Sequence, residues 1–125
     1  MTVEVPAALP PGGILPLERL RNRPDFLRAA RALHRRTPGF VLQARDRGND
    51  DSAVRVGFTC SKKVGNAVAR NRAKRRLREI ARLELPLHGR PGWDYVLIGK
   101  RDLTATRDFA AMRADLIAAL AHLHK

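Results

Sequence analysis

The sequence predicts a single-domain α+β sandwich, in which helices and a sheet close over one aliphatic core. Three observations lead there. Residues 54–60 alternate apolar and polar, residues 94–99 are nearly continuously apolar, and apolar residues recur at helical spacing in 26–33, 69–81 and 109–123. The 125-residue length and 44% apolar content suit one domain, and the 5% aromatic content makes the core aliphatic.

Taken in order, residues 1–16 are rich in Pro and Gly with no sustained period, and are expected to form a flexible arm ahead of a folded domain over 17–125. Phe26, Leu27, Ala30 and Leu33 then predict a first helix from Arg23 to about Arg35, with Pro24 and Asp25 suited to its first turn and Thr37-Pro38-Gly39 ending it. Residues 40–45 and 53–60 flank the polar loop Asp46-Arg-Gly-Asn-Asp-Asp-Ser52, which reads as an antiparallel hairpin. On its second strand Val54, Val56, Phe58 and Cys60 share one face, and Arg55, Gly57 and Thr59 the other. Cys60 is expected in the core. Asn66 is a good cap for a long helix running to about Leu85, and 86–92 is a turn. Residues 94–99 form a strand apolar enough to be central in its sheet. Thr106 is expected to cap a last helix whose stripe is Phe109, Met112, Leu116, Leu120 and Leu123. The expected order is α-β-β-α-β-α.

Charge points to function. The chain carries 25 Lys and Arg against 12 Asp and Glu, a formal excess of +13. So much like charge on one small domain is tolerable when a polyanion is its normal neighbour. A membrane surface fits less well than nucleic acid, because the most basic stretch has little bulky apolar surface to insert between lipids. No run approaches the ~20 apolar residues of a membrane span. The start, MTVEVPAALPPGG, has neither the basic leader nor the apolar run of a secretory signal, and one cysteine suits a reducing compartment. A cytoplasmic location is expected.

The basic stretch is residues 61–85. At about 100° per residue, Ala69, Ala73, Leu77, Ile80 and Ala81 gather on one side of a helix. Arg70, Asn71, Lys74, Arg75, Arg78 and Arg82 span roughly 140° of another side, with Arg72 and Arg76 on the far flank. Glu79 is the one acidic residue between Lys62 and Ile80. A solvated helix face ordinarily mixes signs, whereas like charges four residues apart cost a few tenths of a kcal/mol per pair. The candidate RNA-binding residues are therefore Lys62, Lys63, Arg70, Asn71, Arg72, Lys74, Arg75 and Arg78. Guanidinium forks match phosphate oxygens, and an Asn amide can both donate and accept toward a base edge or a 2′-hydroxyl.

The run Ser61-Lys-Lys-Val-Gly-Asn-Ala-Val68, followed by Arg70-Asn71-Arg72, Lys74-Arg75 and Arg78-Glu79, closely resembles the signature of the bacterial ribonuclease P protein family. The similarity extends to Arg19-Leu20, Asp25-Phe26, Arg55-Val56-Gly57 and Asp94-Tyr95-Val96, leaving only the Pro-rich arm outside it. The resemblance implies a sandwich with a left-handed β-α-β crossover, against the usual right-handed rule. It further implies that the Arg-Asn-Arg helix faces a catalytic RNA subunit, and that a cleft between the first helix and the sheet receives the single-stranded 5′ leader of precursor tRNA. Phe26 would contact the leader, with Gln43 and Thr59 on the strands that floor the cleft. Ala30 and Gln43 stand where some relatives place aromatics, which implies thinner base stacking and more reliance on Arg and Lys.

No protein active site is expected. Phosphodiester cleavage needs clustered carboxylates for metals or a histidine pair. Asp50 and Asp51 read as turn residues, and His34, His88, His122 and His124 are unrelated in spacing and expected at the surface. No metal motif is present. The resemblance implies that the RNA subunit uses Mg²⁺ for hydrolysis, and that no protein partner is required. Two other classes share the charge: a ribosomal or general RNA-binding protein, and a DNA-binding module. The first gives no reason for the Arg-Asn-Arg-x-Lys-Arg arrangement, and the second lacks a helix-turn-helix partner ahead of the basic helix.

Overall fold

The computed structural model describes residues 15–124. Its ten elements are β1 (Leu17–Arg19), α1 (Arg23–Ala30), β2 (Leu33–Arg36), β3 (Phe40–Asp46), β4 (Val54–Thr59), a 3₁₀ turn (Lys62–Val64), α2 (Ala67–His88), β5 (Trp93–Gly99), α3 (Leu103–Thr106) and α4 (Phe109–Leu123). The five strands form one mixed sheet in the order β1-β4-β5-β3-β2, with β1, β4 and β5 mutually parallel and β3 and β2 antiparallel to their neighbours.

Strand β5 takes the middle because Tyr95, Val96 and Leu97 must be buried from both sides. This overturns the expected hairpin. β3 and β4 do not pair with each other; each pairs with β5, which lies between them. The loop joining them passes the start of β5, where the Arg47 amide donates to the Gly92 carbonyl at 3.0 Å and the Gly92 amide to Ala53 at 3.3 Å.

Two helices cover one face of the sheet. Phe40, Leu42, Ala44, Val54, Val56, Tyr95 and Leu97 meet Leu77, Ile80, Ala81 and Leu85 of α2 and Met112, Leu116 and Leu120 of α4 in the main core. The opposite face carries α1 over a smaller cluster of Leu20, Ala29 and Val96, with Phe26 and Ile98 packed against it.

The first helix is shorter than its apolar spacing suggests. It ends at Ala30, and Leu33–Arg36 becomes edge strand β2, Leu33 opposite Ala44. Leu33 is exposed, so the spacing that seemed to continue the helix serves no core. Pairing along the free edge of β3 satisfies more backbone than another helical turn would. The three-residue β1 shows no sequence pattern of its own. At the other end α2 runs past Pro86 to His88, and the Pro86 carbonyl accepts the Leu15 amide at 3.0 Å. Of the proposed arm, residues 1–14 lie outside the described residues, while Leu15 packs in the main core. Asn66 does cap α2, accepting the Ala69 amide at 2.9 Å. Thr106 does not cap the last helix. It ends the single turn α3, and Asp108 caps α4 by accepting the Ala111 amide at 3.0 Å.

A buried carboxylate ties the α1 side together. Asp94, fully inaccessible, accepts Nε and Nη2 of Arg55 at 2.8 and 2.7 Å and Nη1 of Arg47 at 2.7 Å, and pairs with Arg45 at 3.6 Å. The carboxylate raises the Arg55 pKa further, an effect that burial only partly opposes. Arg55 also reaches Asp25 of α1 at 3.5 Å, and Asp25 pairs with Arg28 at 2.9 Å.

At the same end of the sheet but on its opposite face, His124 departs from the expected surface position. It is half-buried, edge-on to Trp93 with centroids 4.5 Å apart, and its Nε2 lies 2.7 Å from the Tyr95 hydroxyl. Burial, with help from the Arg90 charge, pushes its pKa from 6.5 down to about 4. Cys60 is half-buried, not fully in the core, and burial pushes its thiol pKa up. His34, His88 and His122 are exposed.

Two outcomes follow. Asp94→Ala removes the shared partner of buried arginines and should cost about 3–5 kcal/mol in urea unfolding. His124 titrates differently in the two states. Between pH 6.5 and about 4 the unfolded chain takes up a proton that the folded one refuses. Its contribution is complete above pH 6.5 and is lost as pH falls toward 4, amounting to about 1 kcal/mol once partial exposure is discounted. In thermal melts, the stability advantage of the parent over His124→Gln should shrink across that window.

Candidate nucleic-acid interface

The long helix holds its basic residues away from the core because its apolar stripe is already fully committed. Ala73, Leu77, Ile80, Ala81 and Leu85 are buried, which turns Asn71, Arg72, Arg75 and Arg78 outward, with Arg70 and Lys74 half-exposed. Lys62 and Lys63 are exposed on the 3₁₀ turn just ahead, where the Ser61 hydroxyl accepts the Lys63 amide at 3.3 Å. Gly65 joins the turn to the helix at φ 144°, a conformation that strains any residue with a Cβ.

This face is where unpaired cations are most densely gathered. Arg28, Arg45, Arg47, Arg55, Arg101, Arg107 and Arg113 all pair with carboxylates. On α2, Arg82 pairs with Glu79, while Arg76 donates to the Arg107 carbonyl and lies over the Phe109 ring. Among the described residues, Lys62, Lys63, Arg70, Arg72, Lys74, Arg75 and Arg78 form no ion pair. A shallow groove of about 580 Å³ runs along the outer flank, lined by Val68, Asn71, Arg72, Arg75 and Arg76. Val68 is 77% exposed, an apolar residue set among cations. Sequence reasoning passed it over, because it lies off the apolar stripe.

On the opposite face of the sheet, Phe26 lies against Gly57. A Cβ built on Gly57 would come within 2.4 Å of the ring, so glycine is what lets an aromatic rest on the strand. Phe26 and Thr59 line a cavity of about 350 Å³ together with Arg21 and Arg23. Gln43 is not in that lining. It is buried, and its Nε2 lies 3.3 Å from His34 Nε2. Gly57, Val96, Gln43 and His34 occupy one row across four strands, which places Gln43 two strands away from the glycine. The spacing of Arg21 and Arg23 on either side of Asn22 gave no helical or strand signal, and sequence reasoning missed both.

The two surfaces adjoin. β1 covers β4 only from Val54 to Val56, so among the described residues no strand flanks the following ones on that side. There Arg78 lies 6.0 Å from the centre of the Phe58 ring, and Arg70 and Lys74 are near enough to Cys60 to favour its thiolate slightly. No group of three or more His, Cys, Asp or Glu among the described residues is arranged to hold a metal ion. No described helix is long and apolar enough to cross a membrane.

Fold and face together define a small α+β protein that carries an unpaired cationic helix clear of its core. Over residues 16–124 the chain matches the family model described as ribonuclease P. It is 61% identical over 106 residues to the ribonuclease P protein component of Ruegeria pomeroyi, covering 84% of this chain and 85% of that one. With the same component from Caulobacter vibrioides it shares 56% over 109 residues, 87% of this chain and 72% of that one. Its fold is similar to that of the ribonuclease P protein from Thermotoga maritima, with a TM-score of 0.69, 33% identity, and coverage of 84% of this chain and 96% of that one. The chain belongs to the bacterial ribonuclease P protein family, and so to the protein component of an endoribonuclease complex that acts in tRNA processing.

Counterion release makes binding through such a face salt-dependent. Replacing Arg70, Arg72 and Arg75 together with Ala should lower the slope of log affinity against log salt by up to about three units, less for single-stranded contacts. Circular dichroism should stay unchanged, because these side chains point away from the core. An unchanged slope, or an unfolded variant, would assign the helix to the core alone.

Proposed function

We propose that this chain binds the RNA subunit of ribonuclease P through Lys62, Lys63, Arg70, Asn71, Arg72, Lys74, Arg75 and Arg78, and binds the 5′ leader of precursor tRNA in the cleft beside α1. The observation that carries this reading is the density of unpaired charge on one element: Lys62, Lys63, Arg70, Arg72, Lys74, Arg75 and Arg78 crowd the outward face of α2 and the turn before it with no ion pair among the described residues. An RNA backbone supplies the missing negative charge. Phe26 and Thr59 line the cavity that takes the leader, and Gln43, held by His34, belongs to the sheet floor behind them.

In this reading hydrolysis belongs to the RNA subunit and its Mg²⁺. The protein raises affinity for the leader-bearing substrate and screens repulsion between two RNA chains. It works in the cytoplasm, away from membranes, without another protein partner. The strands β4 and β5, joined through α2, form the crossover whose left-handed path the family resemblance implies.

Reconstitution with the host's ribonuclease P RNA tests the proposal. RNA-free protein should leave precursor tRNA uncut, and should raise the activity of the RNA at low Mg²⁺. Specific 5′ cleavage by repurified protein alone would overturn it. Phe26→Leu keeps most of the apolar volume and removes the flat ring. It should weaken the holoenzyme's binding of leader-bearing tRNA by an amount near the lower end of the 1–3 kcal/mol typical of base stacking, with leaderless tRNA unaffected.

A further inference from the structure

The proposed leader cleft does not end at Phe26. Arg21 and Arg23 line the cavity of about 350 Å³ shared with Phe26 and Thr59. They also line a second cavity, of about 440 Å³, with Asn22, Pro24, Asp25 and Arg28. Both are in the size range of small-molecule pockets. The same two arginines therefore wall both spaces, which form one trough running from Thr59 past the beginning of α1.

The charges along this trough are unequal. Arg21 and Arg23 are exposed and, among the described residues, form no ion pair. The carboxylate in the lining is Asp25, which is buried and already neutralised by Arg28 at 2.9 Å and Arg55 at 3.5 Å. A phosphate entering here would meet two uncommitted guanidinium groups and a carboxylate whose charge is spoken for. The aromatic face is confined to Phe26, held against Gly57. Base recognition and phosphate recognition thus have separate places in one continuous groove.

We propose that Arg21 and Arg23 clasp a phosphate of the single-stranded leader next to the base at Phe26, and that the leader continues around the first turn of α1 toward Arg28, away from Gln43. The proposal rests on the leader-binding reading and adds its direction and its phosphate contact. Bidentate guanidinium contacts suit this task, and a lone stacking residue needs them to hold a flexible strand. They also account for affinity in a cleft where Ala30 and Gln43 supply no second ring.

The test uses reconstituted holoenzyme, with precursor tRNA bearing a leader of several nucleotides, the same leader with uncharged methylphosphonate linkages, and leaderless tRNA. R21A/R23A should weaken binding of the natural leader about tenfold or more and leave leaderless tRNA unchanged. Its salt slope should fall by about 0.7, the worth of one neutralised single-stranded phosphate. The methylphosphonate leader should bind the parent weakly and lose nothing further on R21A/R23A. R21K/R23K should keep the parental slope. Equal loss for leaderless tRNA, additive losses from variant and neutral leader, or no loss at all would each overturn the clasp. The two readings fail separately. A silent R21A/R23A beside an effective Phe26→Leu removes the clasp and keeps the cleft, whereas a leader that adds no affinity even to the parent holoenzyme removes the cleft itself.

Discussion

Everything on the α1 face depends on the charge of Asp94. This carboxylate lies at the start of the central strand with no access to water, and arginines from β3, from the loop after it and from β4 converge on it. An isolated buried charge is costly, and so is an isolated buried arginine; each becomes tolerable because the other is present with good hydrogen-bond geometry. Arg47 shows how complete the arrangement is. Besides Asp94, it donates to the carbonyls of Trp93 at 3.1 Å, Asp51 at 3.2 Å and Ala53 at 2.7 Å. The Asp51 and Ala53 carbonyls belong to the loop that must pass β5 for β3 and β4 to flank it, and the Trp93 carbonyl to β5 itself. The sheet order and the ion cluster are therefore one constraint. Through Arg55 the cluster also reaches Asp25, which sets the first turn of α1 and with it the position of Phe26 over Gly57.

The same logic explains where the excess charge resides. The acidic residues are few, and several of them meet arginines or backbone amides where the fold needs a partner. Glu84, buried on α2, accepts Arg113 of α4 at 2.5 Å and joins the two helices that cover the main core. Asp115 holds Arg107 at 2.7 Å in the break between α3 and α4. Asp108 and Asp46 accept backbone amides at caps and turns. Among the described residues the cations without an ion pair include scattered ones such as Arg19, Arg31, Arg36 and Arg90, but they are densest on the outward side of α2 and the turn before it, with Arg21 and Arg23 together beside α1. Like charges gathered this densely repel one another, a cost that the proposed RNA contact removes.

Legibility in the sequence followed the range of the interactions. Where one segment sets its own structure, the reading holds: Asn66 caps α2, the stripe Ala73, Leu77, Ile80 and Ala81 is buried, and 94–99 is the central strand. Where a partner far along the chain decides, it fails. Residues 40–45 and 53–60 look like a hairpin because the polar loop between them is short, and nothing local shows that a strand forty residues later will separate them. Leu33–Arg36 continues a helical spacing until the free edge of β3 claims it. The candidate site divides the same way. The cationic helix is visible from spacing and sign alone, whereas the contact of Phe26 with Gly57 joins residues from opposite ends of the α1 side, and Arg21 and Arg23 acquire meaning only from the cavities they wall.

The end of β4 brings these elements to a common boundary. β1 stops opposite Val56, so among the described residues no strand flanks the last residues of β4 on that side, and their side chains divide by the pleat. Phe58 and Cys60 turn toward α2, where Arg78, Arg70 and Lys74 approach them. Gly57 and Thr59 turn the other way, toward Phe26 and its cavity. Successive residues of a single strand thus support both proposed RNA contacts, back to back across the thickness of the sheet. A displacement of β4 would move the two surfaces together, and Arg55, bound to Asp94 on the same strand, resists that displacement. The buried ion cluster consequently does more than permit the fold. It holds the helix proposed to face the RNA subunit and the cleft proposed to receive the leader in a constant relation, as joining a catalytic RNA to its substrate would require.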